Sequence, residues 1–190
     1  MAVLVSIVGF ALRVYTIGYK QEGTSGRNTK AQRADKLNTL GVYSLTRNPL
    51  YLGNFFLGWG PIIYSHSWTL NIIYISLFTL HYERIIAAEE AYLANKFDKS
   101  YTRWAEQTPI FFPRFSGFAA NETPFSCFYA FYQEKAGLAA VILSFWFIAL
   151  LQNDITPWIK IALIVGAIYY AAFYIIGKII KKKRKNLRSR

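Results

Sequence analysis

Of the 22 lysines and arginines in this 190-residue chain, all but Arg13 and Lys160 fall into three blocks, 18–49, 81–135 and 177–190. Apolar runs at 2–17, 50–64, 69–80, 136–151 and 158–177 lie before and between them. That segregation constrains the fold more than any other feature, because charges kept out of apolar runs and gathered on the joining segments describe a chain threaded through a bilayer. The segments "SHSW" and "QNDITP" carry no cation. Every basic block can therefore face the cytoplasm, with each pair of apolar runs leaving and returning to that side. The expectation is an all-α, polytopic membrane protein of about five membrane segments, including two helical hairpins, with a cytoplasmic C-terminus.

Composition agrees: 54% of residues are hydrophobic and 18% aromatic. A net charge of +12 would suit nucleic acid, but these cations flank membrane segments. The expected partner of the tail "KKKRKNLRSR" is anionic lipid, with no nucleic acid. Cys127 is the lone cysteine and excludes an internal disulfide, and His66 and His81 do not make a metal site, so no metal is expected. The first run has an apolar core like that of a signal peptide, but it has no basic leader and Arg13 interrupts it. It is expected to stay as a membrane helix, and its abrupt start suggests a missing upstream helix. Runs 50–64 and 69–80 are short for a hydrocarbon layer of about 30 Å, so their polar flanks should extend them as helices.

Three polar features can carry chemistry. The loop Thr24–Thr39 holds Arg27, Lys30, Arg33 and Lys36 among Gly, Ser and Asn, suited to phosphate or equally to plain cytoplasmic basicity. At "YSLTRNPLYLGN" Pro49 turns Asn48 away from helix and starts a helix at its mouth. The first free N–H groups there, with Arg47 and Asn48, form a donor-rich corner for a carboxylate or phosphate. Tyr51 lies in the first turn, and Gly53 permits close approach of a helix or a ligand. Simple interfacial anchoring accounts for the same letters. In "HYERIIAAEEAYLANKF" neither Glu89 nor Glu90 has a cation at helical spacing. A carboxylate left near apolar surface needs a distant partner, such as Arg47, Arg13 or a ligand.

Taken together, Arg47-Asn48-Pro49-Leu50-Tyr51-Leu52-Gly53 and the later Glu89-Glu90, Leu93, Phe97-Asp98, Tyr101, Trp104, Pro109 and Pro113 resemble the isoprenylcysteine carboxyl methyltransferase and phospholipid methyltransferase superfamily. That family carries an Arg-His-Pro-x-Tyr-x-Gly block and then a Glu-Glu pair followed by Leu, Phe-Gly, spaced aromatics and Pro. Gly9–Tyr19 resembles the helix before the first block, and "SGRNTK" resembles a bacterial branch, which implies a bacterial inner membrane. Asn48 stands where the family has His, Asp98 where it has Gly, and Trp104 where Tyr is common. Asn keeps a donor and an acceptor but cannot hold a proton.

The resemblance implies S-adenosylmethionine as cofactor, in a pocket at the cytoplasmic face. It implies Arg47 and Glu90 as catalytic residues, with Asn48, Pro49, Tyr51, Gly53, Glu89 and Tyr101 joining them in holding the cofactor. Arg13, Arg27, Lys30 and Arg33 are expected at the acceptor, a membrane lipid head group or a lipid-linked carboxylate or phosphate. The expected organisation is a methyltransferase-like core (1–114), an interfacial aromatic segment (115–135), a C-terminal hairpin (136–179) and a basic tail (180–190). The alternatives are a nicotinamide-dependent membrane reductase of the sterol-reductase type and a non-catalytic membrane scaffold.

Overall fold

The computed structural model describes residues 1–19, 35–152 and 157–188. The loop residues Arg27, Lys30 and Arg33 and most of "QNDITP" lie outside the described residues, as do the side chains of the basic tail. The described elements are α1 (Ala2–Gly18), a 3-10 turn (Val42–Ser44), α2 (Pro49–Tyr64), α3 (Trp68–Phe97), α4 (Lys99–Gln107), α5 (Cys127–Leu151) and α6 (Pro157–Arg188). Among the described residues there is no strand, only an isolated bridge between Gly41 and Ala119.

Helices α1 and α2 pack through small residues. A Cβ on Gly53 would lie 3.1 Å from the carbonyl oxygen of Gly9, and one on Gly9 would lie 2.6 Å from that of Gly53. Ser6 Oγ donates to the Leu57 carbonyl at 2.9 Å, so the crossing combines close backbones with a hydrogen bond. Such contacts hold helices together where apolar surface alone gives no preference between lipid and protein. Gly53 thus serves the approach of a helix.

Helix α3 carries neither Gly nor Pro and runs unbroken for 30 residues. At roughly 45 Å it is longer than a hydrocarbon layer, so its acidic end can stand clear of the apolar zone. Ser67 caps its start, accepting from the Leu70 N–H at 3.3 Å. It folds back antiparallel on α2: Trp59 Nε1 donates to Asn71 Oδ1 near the turn, and Asn54 Nδ2 donates to Tyr82 Oη farther along, both at 2.9 Å. Helices α5 and α6 form a second antiparallel pair, with Gly166 against Ile142 and Phe128 against Phe173. Gln152 Nε2 donates to the Ser65 carbonyl at 3.0 Å, bringing the end of α5 to the α2–α3 turn.

Helix α5 begins at Cys127, earlier than the expected hairpin start at 136. Phe128 and Tyr132 stack on one another and Glu134 is drawn into the bundle, which extends the helix through half of the stretch assigned to an interfacial segment. Among the described residues α5 is the one helix long and apolar enough to cross a membrane, while α1 and the stretch 164–176 are shorter apolar helices. Apolar side chains stay exposed along the bundle, including Ile72, Leu77, Leu143, Phe147, Ile164 and Ile168.

Candidate functional site

The corner at Pro49 is held by a strap from the far side of α4. Arg47 N donates to the Pro109 carbonyl at 2.8 Å, and Arg114 N donates to that of Leu45 at 3.0 Å. Thr46 Oγ1 donates to the Phe111 carbonyl at 2.9 Å, and Asn48 Nδ2 donates to that of Ile110 at 3.0 Å. Pro49 is fully buried and opens α2, with the Leu52 N–H donating to the Asn48 carbonyl at 3.0 Å. The proline thus sets where the helix begins, and the strap fixes the direction of the chain entering it.

Glu89 and Glu90 of α3 both reach this corner. Arg47 Nε lies 3.2 Å from Glu90 Oε1. Tyr51 Oη donates to Glu89 Oε2 at 2.7 Å, and the Tyr51 ring lies 4.9 Å from that of Tyr82. Tyr101 on α4 is buried at 6% exposure beside the same ion pair. Burial, and then the charge of Glu90, push its phenol up to about 12. Tyr43 is also driven upward, by burial first and then by Glu89, and its carbonyl accepts from Trp104 Nε1 at 3.2 Å.

The pairing is incomplete in a telling way. Arg47 Nε, Glu90 Oε1, Tyr101 Oη and Thr108 Oγ1 are all buried without a hydrogen-bond partner. The Arg47–Glu90 contact is an ion pair whose geometry makes no hydrogen bond. Two of these atoms face one another as that ion pair, which leaves the hydroxyls of Tyr101 and Thr108, and buried hydroxyls are almost always satisfied in a native structure. A guanidinium–carboxylate pair with a buried phenol beside it has the chemistry to bind a polar, zwitterionic molecule.

Residues 1–100 match the family model described as phospholipid methyltransferase. The chain belongs to that family. In this phospholipid methyltransferase family member the match takes in Arg47, Tyr51, Glu89 and Glu90, whereas Tyr101, Thr108 and α5 lie beyond it. The chain is 36% identical over 94 residues to the nickel-cobalt-cadmium resistance protein NccN of Alcaligenes xylosoxydans xylosoxydans, covering 48% of this chain and 43% of that protein. It is 34% identical over 94 residues to the cobalt-zinc-cadmium resistance protein CzcN of Cupriavidus metallidurans, covering 48% of this chain and 42% of that one. The match therefore spans less than half the length of each curated relative. No solved structure matches the chain significantly.

Of the other residues singled out in the sequence, Asn48 has its amide donor engaged by the strap, leaving its carbonyl oxygen. Arg13 lies elsewhere in the family member's fold: its guanidinium is taken up by Glu134, Asn54 Oδ1 and the Leu50 carbonyl, and not by the Glu89–Glu90 pair. Thr108 and Tyr43 escaped sequence reasoning. A lone threonine before Pro109 and a tyrosine in a polar stretch carry no pattern, since only the strap and the α3 carboxylates give them their surroundings.

Proposed function

We propose that this chain is an S-adenosylmethionine-dependent methyltransferase acting at the cytoplasmic membrane face on a lipid head group or a lipid-linked carboxylate or phosphate. The observation that carries the proposal is the convergence of Arg47 and Glu90 at 3.2 Å, with the buried phenol of Tyr101 beside them and the buried hydroxyl of Thr108 just before Pro109. The donor set fits such a cofactor: a guanidinium for a carboxylate, a glutamate for an ammonium or ribose hydroxyls, and the faces of Tyr51 and Tyr101 for a sulfonium. S-adenosylmethionine, when bound, supplies a methyl group activated by positive charge on sulfur.

The chain's own contribution is alignment and exclusion of water. Arg47 is held by its backbone bond to Pro109 and by Glu90, so its remaining donors are pre-aimed. Glu89 is oriented by the Tyr51 hydroxyl. Asn48 holds no proton, and an anionic acceptor needs no general base, so the His that the family carries at this place is dispensable for such chemistry. The basic loop 27–36 supports an anionic acceptor on grounds of charge.

The proposal extends to about five membrane segments with the site at the basic, cytoplasmic end. In support, Gln152 joins the two cation-free turns at one end of the bundle, and Arg47, Glu89 and Glu90 stand at the other ends of α2 and α3. Membranes containing the protein should be incubated with S-adenosylmethionine carrying an isotopically labelled methyl group and their lipids analysed by mass spectrometry. Label in a lipid species with wild type, and none with Glu90→Ala, is the expected result. Displacement of bound NADPH, with no labelled lipid, would overturn the proposal in favour of a reductase.

A further inference from the structure

Glu134 lies outside the segment that matches the family, yet it is among the most deeply buried side chains, at 1% exposure. Its carboxylate takes both edges of Arg13: Nε donates to Oε2 and Nη2 donates to Oε1, each at 2.6 Å. The same guanidinium reaches α2, where Nη1 donates to Asn54 Oδ1 and to the Leu50 carbonyl at 3.3 Å. Leu50 is in the first turn of α2, directly after the Asn48–Pro49 corner. Asn54 passes the contact on, donating through Nδ2 to Tyr82 Oη at 2.9 Å. Tyr82 packs on Tyr51, whose hydroxyl orients Glu89.

From this chain of contacts we infer that Glu134, on the C-terminal hairpin, is a positioning residue for the cofactor site. It fixes the Arg13 fork, and Arg13 fixes the first turns of α2 and the tyrosine pair behind Glu89. A bidentate carboxylate–guanidinium pair sets angle as well as distance, which suits this task. A purely structural pair would need only Glu134 and Arg13; here the guanidinium uses a further nitrogen on the helix that opens at the site. The hairpin that the family match leaves out is thereby tied to the matched core through a buried polar route.

The inference rests on the methyltransferase proposal, and its test separates the two. Equilibrium binding of radiolabelled S-adenosylmethionine is measured on detergent-solubilised protein well below its melting temperature. Variants are Glu134→Gln, the charge-swapped pair Arg13→Glu/Glu134→Arg, and the mild Tyr82→Phe. If wild type does not bind, the functional proposal fails. If it binds, Glu134→Gln and Tyr82→Phe should each weaken binding by about tenfold, with less than additive losses when combined. The swapped pair should regain thermal stability but not affinity, because Glu at position 13 cannot donate to Asn54. Full affinity in folded Glu134→Gln and in Tyr82→Phe, or affinity that returns with stability in the swapped pair, would overturn the positioning role. Tyr82→Phe removes one hydroxyl and keeps the ring contact, so it remains informative if the charge variants do not fold.

Discussion

Replacing Tyr101 by Phe should make the free protein more stable and its ligand complex weaker. The ring is 6% exposed and packs on Trp104 at 5.7 Å between centroids, contacts that Phe retains. The hydroxyl is buried against Arg47 and Glu90 in a geometry that completes no well-formed hydrogen bond. An unsatisfied buried hydroxyl costs about 1–3 kcal/mol, so its removal should stabilise the free protein by about 1 kcal/mol after loss of its attraction to Arg47. For a chain of this size that is a melting-temperature rise of about 2–4 °C. In the complex the same hydroxyl is expected to bond to the ligand, and its loss should weaken binding roughly two- to tenfold. The assay is thermal unfolding in detergent with and without saturating S-adenosylhomocysteine, together with a binding titration. The variant should melt higher alone, while its ligand-induced rise should be smaller than that of wild type. A lower melting temperature with unchanged affinity would refute the reasoning, because the hydroxyl would then be satisfied within the free protein. pH adds a check on sign. A phenol whose pKa is raised by folding, from 10.0 to about 12, adds stability that is fully present below the lower value. That contribution disappears as pH rises through the higher one, since the unfolded chain gives up the proton first. Wild type should therefore lose stability across that window more steeply than the Phe variant does.

Three other outcomes follow from the geometry. Asp98 links α3 to α4 at φ +45° and ψ −120°, a conformation that favours glycine, and its side chain caps neither helix. Asp98→Gly should raise stability by about 1 kcal/mol, relieved strain outweighing glycine's extra entropy, as thermal unfolding would register. Gly53→Ala should lower stability by about 1–3 kcal/mol, because the added methyl would strike α1 at Gly9 and Arg13, with a matching loss of folded yield on size-exclusion chromatography. Asn48→Ala should cost about 1 kcal/mol in unfolding experiments by removing the shorter of the two hydrogen bonds to the Ile110 carbonyl, whereas Asn48→His, which keeps an N–H, should cost less.

The parts of this protein legible in its sequence are those governed by local rules. Pro49 marked the start of α2, and the missing local cations around Glu89 and Glu90 showed that these acids needed partners from elsewhere. Arg47, Arg13 or a ligand were the candidate partners, and the fold assigns Arg47 to Glu90 while Tyr51 serves Glu89. What stayed hidden depends on contacts distant in sequence. Glu134 sits beside Lys135 in an aromatic stretch and reads as interfacial until α5 brings it 121 positions back to Arg13. The early start of α5 was hidden for the same reason, since Phe128 and Tyr132 look like membrane-surface aromatics until they stack as a helical pair. Thr108 gains meaning only when the strap pairs with residues 44–48 and leaves its hydroxyl buried.

Calorimetric titration of S-adenosylhomocysteine into the detergent-solubilised protein tests the central claim most directly. Wild type should bind. Arg47→Ala and Glu90→Ala, each shown to be folded by its helical circular dichroism, should bind roughly 10–100-fold more weakly, the usual effect of losing a hydrogen bond to a charged group. Two folded variants that bind the ligand as tightly as wild type would contradict the account.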